Sequence, residues 1–247
     1  MDRTPVFSAL VTGASRGIGL GIATRLARQG YALTITARDP ERLSDTAATL
    51  REAGAPDVVA AAADMADPAA PAQLCAIHGE RFGSIDTLIL NAGVGTAGAI
   101  GSLPMRRVNK TVDVNFRAPF SLIQNALPLL RAAAGTRQKA KVITVASITG
   151  VYAEAGLAVY GATKAALLSL VETLNAEESA NGINATAIAP AYVDTDMSAW
   201  IHDRIPAESM IDVNDIVELV DALIKLSPSA VVNKIVVSRS GTNGYCA

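Results

Sequence analysis

The sequence predicts a single α/β domain built on an open, doubly wound parallel sheet with helices on both faces. Apolar segments of strand length alternate with helix-length segments along the whole chain, and such crossovers require parallel strands. The first apolar segment, residues 7–11, runs directly into a glycine-rich turn and then a helical pattern. A length of 247 residues without an internal linker suits one domain over residues 1–247.

Each element follows from local composition and spacing. Gly30 ends the first predicted helix, residues 18–29, and residues 32–36 have the length and apolar content of a second strand. Further strands are expected over residues 58–63, 87–90, 141–146, 184–189 and 234–237. Further helices are expected over residues 40–53, 68–82, from after residue 93 to about 131, 157–178 and 215–226. The sheet would therefore contain about seven strands.

Composition limits the classes of function. With a formal net charge of −2 and no cluster of Lys or Arg, the chain is expected to bind neither nucleic acid nor a membrane surface. Cys75 and Cys246 lack metal-ligand spacing, so no metal site is predicted. His78 and His202 are isolated and are interpreted as ordinary surface or loop residues. The absence of a signal pattern and of a membrane-length apolar run favours a cytoplasmic location.

The glycine-rich turn after the first strand is the first candidate binding site. Gly13, Gly17 and Gly19 allow a tight turn, close approach to a pyrophosphate and close helix packing, and helix N–H groups can face the anion. The same predicted dinucleotide site includes the other residues of the turn, Ser15, Arg16 and Ile18. The alternative is a tight turn that binds no ligand.

Three later side chains have the chemistry of a proton-transfer site. Tyr160 and Lys164 are four residues apart, so a helix places both on one face, toward one pocket. A nearby ammonium stabilises phenolate and is expected to lower the pKa of Tyr160 from about 10 toward working pH. Tyr160 could then exchange a proton with substrate, while Ser147, after the fifth strand, donates a hydrogen bond to the substrate oxygen. The alternative is a chance pair on an exposed helix.

Together these motifs resemble those of the short-chain dehydrogenase/reductase family, which has a Rossmann-like fold. Residues 12–19 resemble the family's TGxxxGxG, residues 91–93 its NAG and residues 160–164 its YxxxK, with Ser147 at the usual distance before the tyrosine. The resemblance implies an oxidoreductase that transfers a hydride between a nicotinamide and a carbonyl or secondary alcohol, with Tyr160 as general acid/base. It also implies that Lys164 holds the nicotinamide ribose and that Asn115 carries a water that relays protons.

The resemblance also assigns cofactor contacts. Ala37 replaces the aspartate of NAD-binding members, and Arg38 matches an arginine of NADP-binding members, so NADP(H) is favoured over NAD(H), with Arg16 as a second cation. Asp39 is either a carboxylate shifted into this pocket or the N-cap of the next helix. The other expected contacts are Asp64 and Met65 at the adenine, Asn91, Ala92 and Gly93 at the adenosine ribose, and Pro190, Val193 and Thr195 at the nicotinamide.

Two segments depart from the family pattern. Ala191 stands where relatives have a glycine after the proline, which removes easy access to positive φ. Residues 238–247 differ from the Asp-Gly-Gly ending of some relatives, which leaves open whether the chain forms a dimer or a tetramer.

Residues 194–211 are the candidate for a mobile lid. The segments expected to line the substrate pocket carry mostly apolar or aromatic side chains, at Thr149, Tyr152, Glu154, Tyr192, Met197, Trp200 and Ile201.

Small and apolar residues on more than one face of the helix at 157–178 predict a homo-oligomer, unless all of that surface meets the chain's own sheet.

Two alternative functions remain beside that of an NADP(H)-dependent oxidoreductase acting on a carbonyl or secondary alcohol. One is a 3-oxoacyl thioester reductase of the same family, which the unusual C-terminus disfavours. The other is a non-catalytic NADP(H)-binding sensor, which would not need Ser147, Asn115, Tyr160 and Lys164 together.

Overall fold

A computed structural model describes residues 6–246 and contains one sheet with helices on both faces, which confirms the predicted architecture. The strands are β1 (Ser8–Thr12), β2 (Ala32–Thr36), β3 (Val58–Ala60), β4 (Thr87–Leu90), β5 (Ala140–Val145), β6 (Ile183–Pro190) and β7 (Lys234–Val237). The helices are α1 (Gly17–Arg28), α2 (Pro40–Glu52), α3 (Ala70–Phe82), α4 (Met105–Val112), α5 (Ala118–Arg137), α6 (Ala158–Glu178) and α7 (Val213–Lys225).

The strand order creates a crevice at the carboxyl ends of the strands. All seven strands pair in parallel in the order β3-β2-β1-β4-β5-β6-β7, so the chain changes direction across the sheet between β1 and β4. Val11 of β1 pairs with Ile35 of β2 and Ile89 of β4. The loops that follow these strands therefore meet at one edge, which is where open parallel sheets bind ligands.

Two apolar layers hold the sheet between helices. Strands β1, β2, β4, β5 and β6 are buried along their whole length, because helices cover both faces. One layer packs α1, α2 and α7 against the sheet, with Leu26 and Val220 as members. The other layer packs α3, α5 and α6 against the opposite face, with Leu74 and Leu122 as members. The edge strands β3 and β7 are partly exposed.

The largest difference from the predicted elements follows β4. The expected single helix begins only at Met105, and the π-helical turn Asp113–Arg117 joins α4 to α5, which continues to Arg137 rather than to residue 131. A π-turn inserts one residue into the helical repeat, and sequence periodicity gives no sign of it. Strand β3 also ends at Ala60 rather than at residue 63.

The interpretation of His78 as a surface or loop residue is wrong. His78 lies on the inward face of α3 and is fully buried. Its Nδ1 lies 2.8 Å from Thr34 Oγ1, and its Nε2 lies 2.9 Å from the carbonyl oxygen of Ser84. Thr34 lies 44 residues away in the sequence, so the chain alone did not indicate that this imidazole could be buried with a partner. Burial lowers the pKa of His78 to about 4.

We expect the free energy of unfolding to decrease as the pH falls from about 6.5 to about 4. The imidazole of the unfolded chain takes up a proton near pH 6.5, whereas the folded chain holds the pKa of His78 at about 4. The unfolded state therefore binds the proton first, and the folded state loses about 3 kcal/mol across this window.

Urea unfolding of the wild type and of His78→Gln at about pH 7 and about pH 4.5 measures this effect. The pH dependence is expected to weaken in His78→Gln and to persist in the control His202→Gln, which changes a half-buried loop histidine. Equal pH dependence in all three proteins would contradict the assignment to His78.

Candidate active site

A cleft of about 700 Å³ opens at the carboxyl ends of the strands, between the loops after β1 and β4. Every residue predicted to bind the cofactor lines this cleft except Gly19. Of the predicted catalytic residues, Ser147, Tyr160 and Lys164 line the same cleft, whereas Asn115 is buried behind it. The fold therefore gathers the predicted residues from seven separate segments, as expected at this edge of a parallel sheet.

Hydrogen bonds tie the glycine-rich turn to the turn after β4. Thr12 Oγ1 accepts hydrogen bonds from the backbone N–H groups of Asn91 and Ala92, both at 3.0 Å. Asn91 Nδ2 donates to the carbonyl oxygens of Thr12 at 3.1 Å and Gly13 at 3.0 Å. Asn91 lines the cleft as predicted, and its side chain also fixes the shape of the glycine-rich turn.

The glycines of this turn have no room for a side chain. A Cβ at Gly19 would lie 2.2 Å from the carbonyl oxygen of Gly13 and 2.4 Å from Asn91 Nδ2. Gly17 has a φ of 52°, and a Cβ there would lie 3.2 Å from Thr195 Cγ2. Gly17 also begins α1, and the side chain of Arg16, the N-cap residue, makes no capping hydrogen bond within residues 6–246. The N–H groups of the first turn can therefore bind an anion.

Two arginines lie between the end of β2 and the first turn of α2. Arg38 and Arg42 are exposed, line the cleft, and form no ion pair with any residue of 6–246. Asp39 Oδ1 instead accepts hydrogen bonds from the backbone N–H groups of Glu41 and Arg42, both at 3.1 Å, so Asp39 is the N-cap of α2. Sequence reasoning missed Arg42, although its place in the first turn of the predicted helix was a usable signal. This corner of the cleft therefore presents unpaired positive charge.

Close backbone packing brings Ser147 to Tyr160. A Cβ at Gly150 would lie 2.7 Å from the backbone of α6, and one at Gly161 would lie 2.8 Å from the carbonyl oxygen of Thr149. The short helix Ile148–Gly150 can therefore sit directly on α6. Ser147 Oγ accepts hydrogen bonds from the backbone N–H of Thr149 at 3.2 Å and from Thr149 Oγ1 at 2.9 Å. Its own hydroxyl proton remains available to donate.

Tyr160 and Lys164 lie on one face of α6, as their spacing predicts. Lys164 is buried, its Nζ donates to the carbonyl oxygen of Val145 at 2.8 Å, and it lies 5.6 Å from the centre of the Tyr160 ring. Burial lowers the pKa of Lys164 to about 8. Burial raises the pKa of Tyr160, and a hydrogen bond with Ser147 partly opposes this change.

The expectation of a lowered Tyr160 pKa is therefore wrong for this structure, because desolvation of the phenol outweighs the other effects. The four-residue spacing also does not direct the Lys164 ammonium toward the phenol oxygen, because Lys164 Nζ donates a hydrogen bond to the carbonyl oxygen of Val145. The favoured state of Tyr160 is thus the neutral phenol, which can donate a proton.

Asn115 organises the segment after β4 from behind the cleft. It lies in the π-helical turn and is fully buried. Its Oδ1 accepts a hydrogen bond from the backbone N–H of Val94 at 2.8 Å, and its Nδ2 donates to the carbonyl oxygen of Val94 at 3.0 Å. A Cβ at Gly93 would lie 3.4 Å from Asn115 Oδ1 and 3.7 Å from Lys164 Nζ. Asn115 therefore fixes the backbone beside Lys164.

The cleft continues past Tyr160 into the expected substrate region. Of the residues predicted there, Thr149, Tyr192, Met197 and Trp200 line the cleft. The others lie outside its lining, at Tyr152, Glu154 and Ile201. Tyr192 packs edge to face on Trp200 and donates a hydrogen bond to Glu154 Oε1 at 3.2 Å. Burial and the Glu154 carboxylate raise the pKa of Tyr192 to about 12.

The segment after β6 that is the candidate lid, residues 194–211 and called the lid from here on, lines the cleft at Thr195, Asp196, Met197, Ser198 and Trp200. A parallel bridge between Val193 and Ile211 joins its two ends. Ser198 is buried, and its Oγ donates to the carbonyl oxygens of Val193 at 2.6 Å and Thr195 at 2.8 Å. The first turn of the lid therefore has a fixed shape beside Gly17.

The two departures from the family pattern have defined structures. Among residues 6–246, Gln138 is the only non-glycine residue with positive φ, so Ala191 carries no backbone strain of that kind. Ala191 N–H donates to the carbonyl oxygen of Val237 at 2.8 Å. In the C-terminal segment, Tyr245 packs edge to face on Tyr152 with ring centres 5.0 Å apart. The tail thus contacts the loop between β5 and α6 of its own chain.

No helix within residues 6–246 is long and apolar enough to cross a membrane. The same residues contain no group of three or more His, Cys, Asp or Glu that could hold a metal ion.

The chain is similar to proteins of known family. The model of the family described as short chain dehydrogenase matches residues 8–205. The 3-oxoacyl-[acyl-carrier-protein] reductase of rhamnolipid biosynthesis from Pseudomonas aeruginosa is 39% identical over 194 residues, which is 78% of this chain and 75% of that protein.

Solved structures with the same fold include NADP and NADPH complexes and an NADH-dependent enzyme. The Pseudomonas aeruginosa RhlG/NADP complex has a TM-score of 0.85 at 32% identity and covers 94% of each chain. A variant actinorhodin polyketide ketoreductase with NADPH has a TM-score of 0.86 at 27% identity and covers 96% of this chain and 97% of that one. An NADH-dependent reductase of alginate metabolism has a TM-score of 0.84 at 27% identity and covers 98% of each chain.

Proposed function

The chain belongs to the short-chain dehydrogenase family, and we propose that it is an NADP(H)-dependent oxidoreductase acting on a carbonyl or secondary alcohol. The observation that carries this proposal is the placement of Ser147, Tyr160 and Lys164 in one cleft with the glycine-rich turn. Fold alone would not assign an activity, whereas a proton donor beside a dinucleotide-binding turn has a defined chemical use.

The residues present fit the cofactor. Gly13, Gly17 and Gly19 leave the backbone of the turn without side chains at three positions, so a pyrophosphate could approach it closely, and the first turn of α1 can bind its charge. Arg38 and Arg42 offer unpaired guanidinium groups where a 2′-phosphate would lie, and Asp39 is committed to capping α2. These features favour NADP(H) over NAD(H). The other predicted contacts are proposed as before, at Ser15, Ile18, Asp64, Met65, Ala92, Gly93, Pro190, Val193 and Thr195.

Each side chain of the site has a proposed role. The bound nicotinamide would supply or accept the hydride. Tyr160 donates its phenol proton to the carbonyl oxygen in reduction and removes the hydroxyl proton in oxidation. Ser147 donates a hydrogen bond to the same oxygen as negative charge develops there. Lys164, whose Nζ also donates to the carbonyl oxygen of Val145, would hold the nicotinamide ribose. Asn115 keeps the backbone beside Lys164 in place.

Cofactor oxidation against a panel of aldehydes, ketones and diketones tests the proposal. NADPH and NADH are each offered to the wild type, and NADPH consumption that depends on the carbonyl compound is the expected result. A protein that binds NADPH but turns over neither that panel nor, in reverse with NADP⁺, a panel of alcohols would support the sensor function instead.

A 3-oxoacyl thioester is a second candidate substrate class, favoured by the 39% identity to a 3-oxoacyl-[acyl-carrier-protein] reductase. Adding acetoacetyl-coenzyme A to the panel separates the two classes. A kcat/KM for this thioester well above that for ketones of similar length would favour the thioester reductase.

We also propose that the protein lies in the cytoplasm, where thiols such as those of Cys75 and Cys246 stay reduced.

We further propose that the chain forms a homo-oligomer. The outward face of α6 is exposed at Ala162 and Ala165, so part of its apolar surface does not meet its own sheet. Phe120 and Met105 are exposed as well. Light scattering at micromolar concentration is expected to give the mass of a dimer or tetramer of this chain, and a mass near 25.4 kDa would refute the proposal.

A further inference from the structure

One ion pair joins the glycine-rich turn to the lid across the mouth of the cleft. Arg16 Nη1 lies 2.9 Å from Asp196 Oδ2, and both side chains are more than half exposed. The neighbouring lid residue Thr195 lies against Gly17. On the other side of the cleft, Met197 Cγ lies 3.7 Å from the position of a Cβ at Gly95. The lid therefore touches both walls, and the Arg16–Asp196 pair is its charged contact with the glycine-rich turn.

Arg16 lines the same cleft as Arg38 and Arg42, which form no ion pair within residues 6–246. A 2′-phosphate there would carry more negative charge than a carboxylate and would accept hydrogen bonds from several guanidinium groups at once. An exposed ion pair contributes little free energy, so such a phosphate can displace Asp196 from Arg16. A cofactor without this phosphate has no group that competes for Arg16.

We propose that Asp196 is a specificity-determining residue that competes with the 2′-phosphate of the cofactor for Arg16 and thereby couples cofactor identity to the lid. This inference rests on the proposed NADP(H) binding. NADP(H) releases the lid from the glycine-rich turn, whereas NAD(H) leaves the Arg16–Asp196 pair intact. Asp196 thus reduces NADP(H) affinity slightly and makes the position of the lid depend on which cofactor is bound.

Binding measurements at low salt with Asp196→Asn test the competition. The ratio of NADP⁺ to NAD⁺ affinity is expected to rise about two- to fivefold, because Arg16 no longer has to leave a carboxylate. Asp203→Asn is the matched control, since it removes the same charge from an exposed position of the lid. In the background Arg16→Gln, Asp196→Asn is expected to leave the ratio unchanged, which isolates the pair.

Trp200 is the only tryptophan of the chain and lies in the lid, so its fluorescence reports lid position. NADP⁺ is expected to change the emission of the wild type more than NAD⁺ does, and Asp196→Asn is expected to remove that difference. An unchanged or lower affinity ratio in Asp196→Asn, with NADP⁺ still bound tightly, would overturn this inference alone. Failure of the wild type to bind either cofactor would instead overturn the proposed function.

Discussion

Replacing Tyr160 by Phe is expected to lower kcat about 10³-fold while leaving NADPH affinity within about twofold. The change removes only the phenol oxygen. The ring remains on α6, and Lys164 keeps its bond to the carbonyl oxygen of Val145. Because burial favours the neutral phenol, the lost group is the proton donor of the reduction. Steady-state kinetics with NADPH and the best carbonyl substrate, together with cofactor titration, measure both quantities.

Tyr152→Phe is the matched control for this substitution. Tyr152 packs on Tyr245 and does not line the cleft, so its loss of a hydroxyl is expected to leave kcat within about twofold. Equal losses of activity in the two variants, or a loss in Tyr160→Phe that comes from NADPH affinity alone, would remove Tyr160 from the role of general acid/base.

The double substitution Arg38→Ala with Arg42→Ala is expected to weaken NADPH binding about 10²-fold and to leave NADH binding within about twofold. Each guanidinium can donate charge-assisted hydrogen bonds to a 2′-phosphate, and their exposure reduces the free energy below that of buried pairs. Neither side chain forms an ion pair within residues 6–246, so their removal leaves no buried charge without a partner. Dissociation constants for both cofactors, with each single variant alongside, measure the effect.

Arg28→Ala tests whether general loss of positive charge explains any change. Arg28 is exposed near the end of α1 and does not line the cleft. NADPH and NADH affinities are expected to stay near those of the wild type in this variant. An equal loss of affinity for NADPH and NADH in the double variant would show that Arg38 and Arg42 do not bind the 2′-phosphate.

Local patterns were sufficient for the fold, the family and most of the predicted residues that line the cleft. The glycine spacing, the strand at residues 32–36 and the four-residue spacing of Tyr160 and Lys164 depend only on neighbours along the chain. Each has a direct structural consequence, because backbone turns and helix faces are set within a few residues. The match to the short-chain dehydrogenase model over residues 8–205 confirms the family that these motifs resemble.

Contacts between distant segments decided the rest. The burial of His78, the partner of Arg16 on the lid and the raised pKa of Tyr160 each depend on groups from other elements. Hydrogen bonding and desolvation act over a few ångströms in space, whatever the separation in sequence. The sequence by itself therefore determined which reactive groups this protein carries and at which edge of the sheet they meet. Only the tertiary structure decided their protonation and their partners, because those depend on which distant atoms exclude water from them.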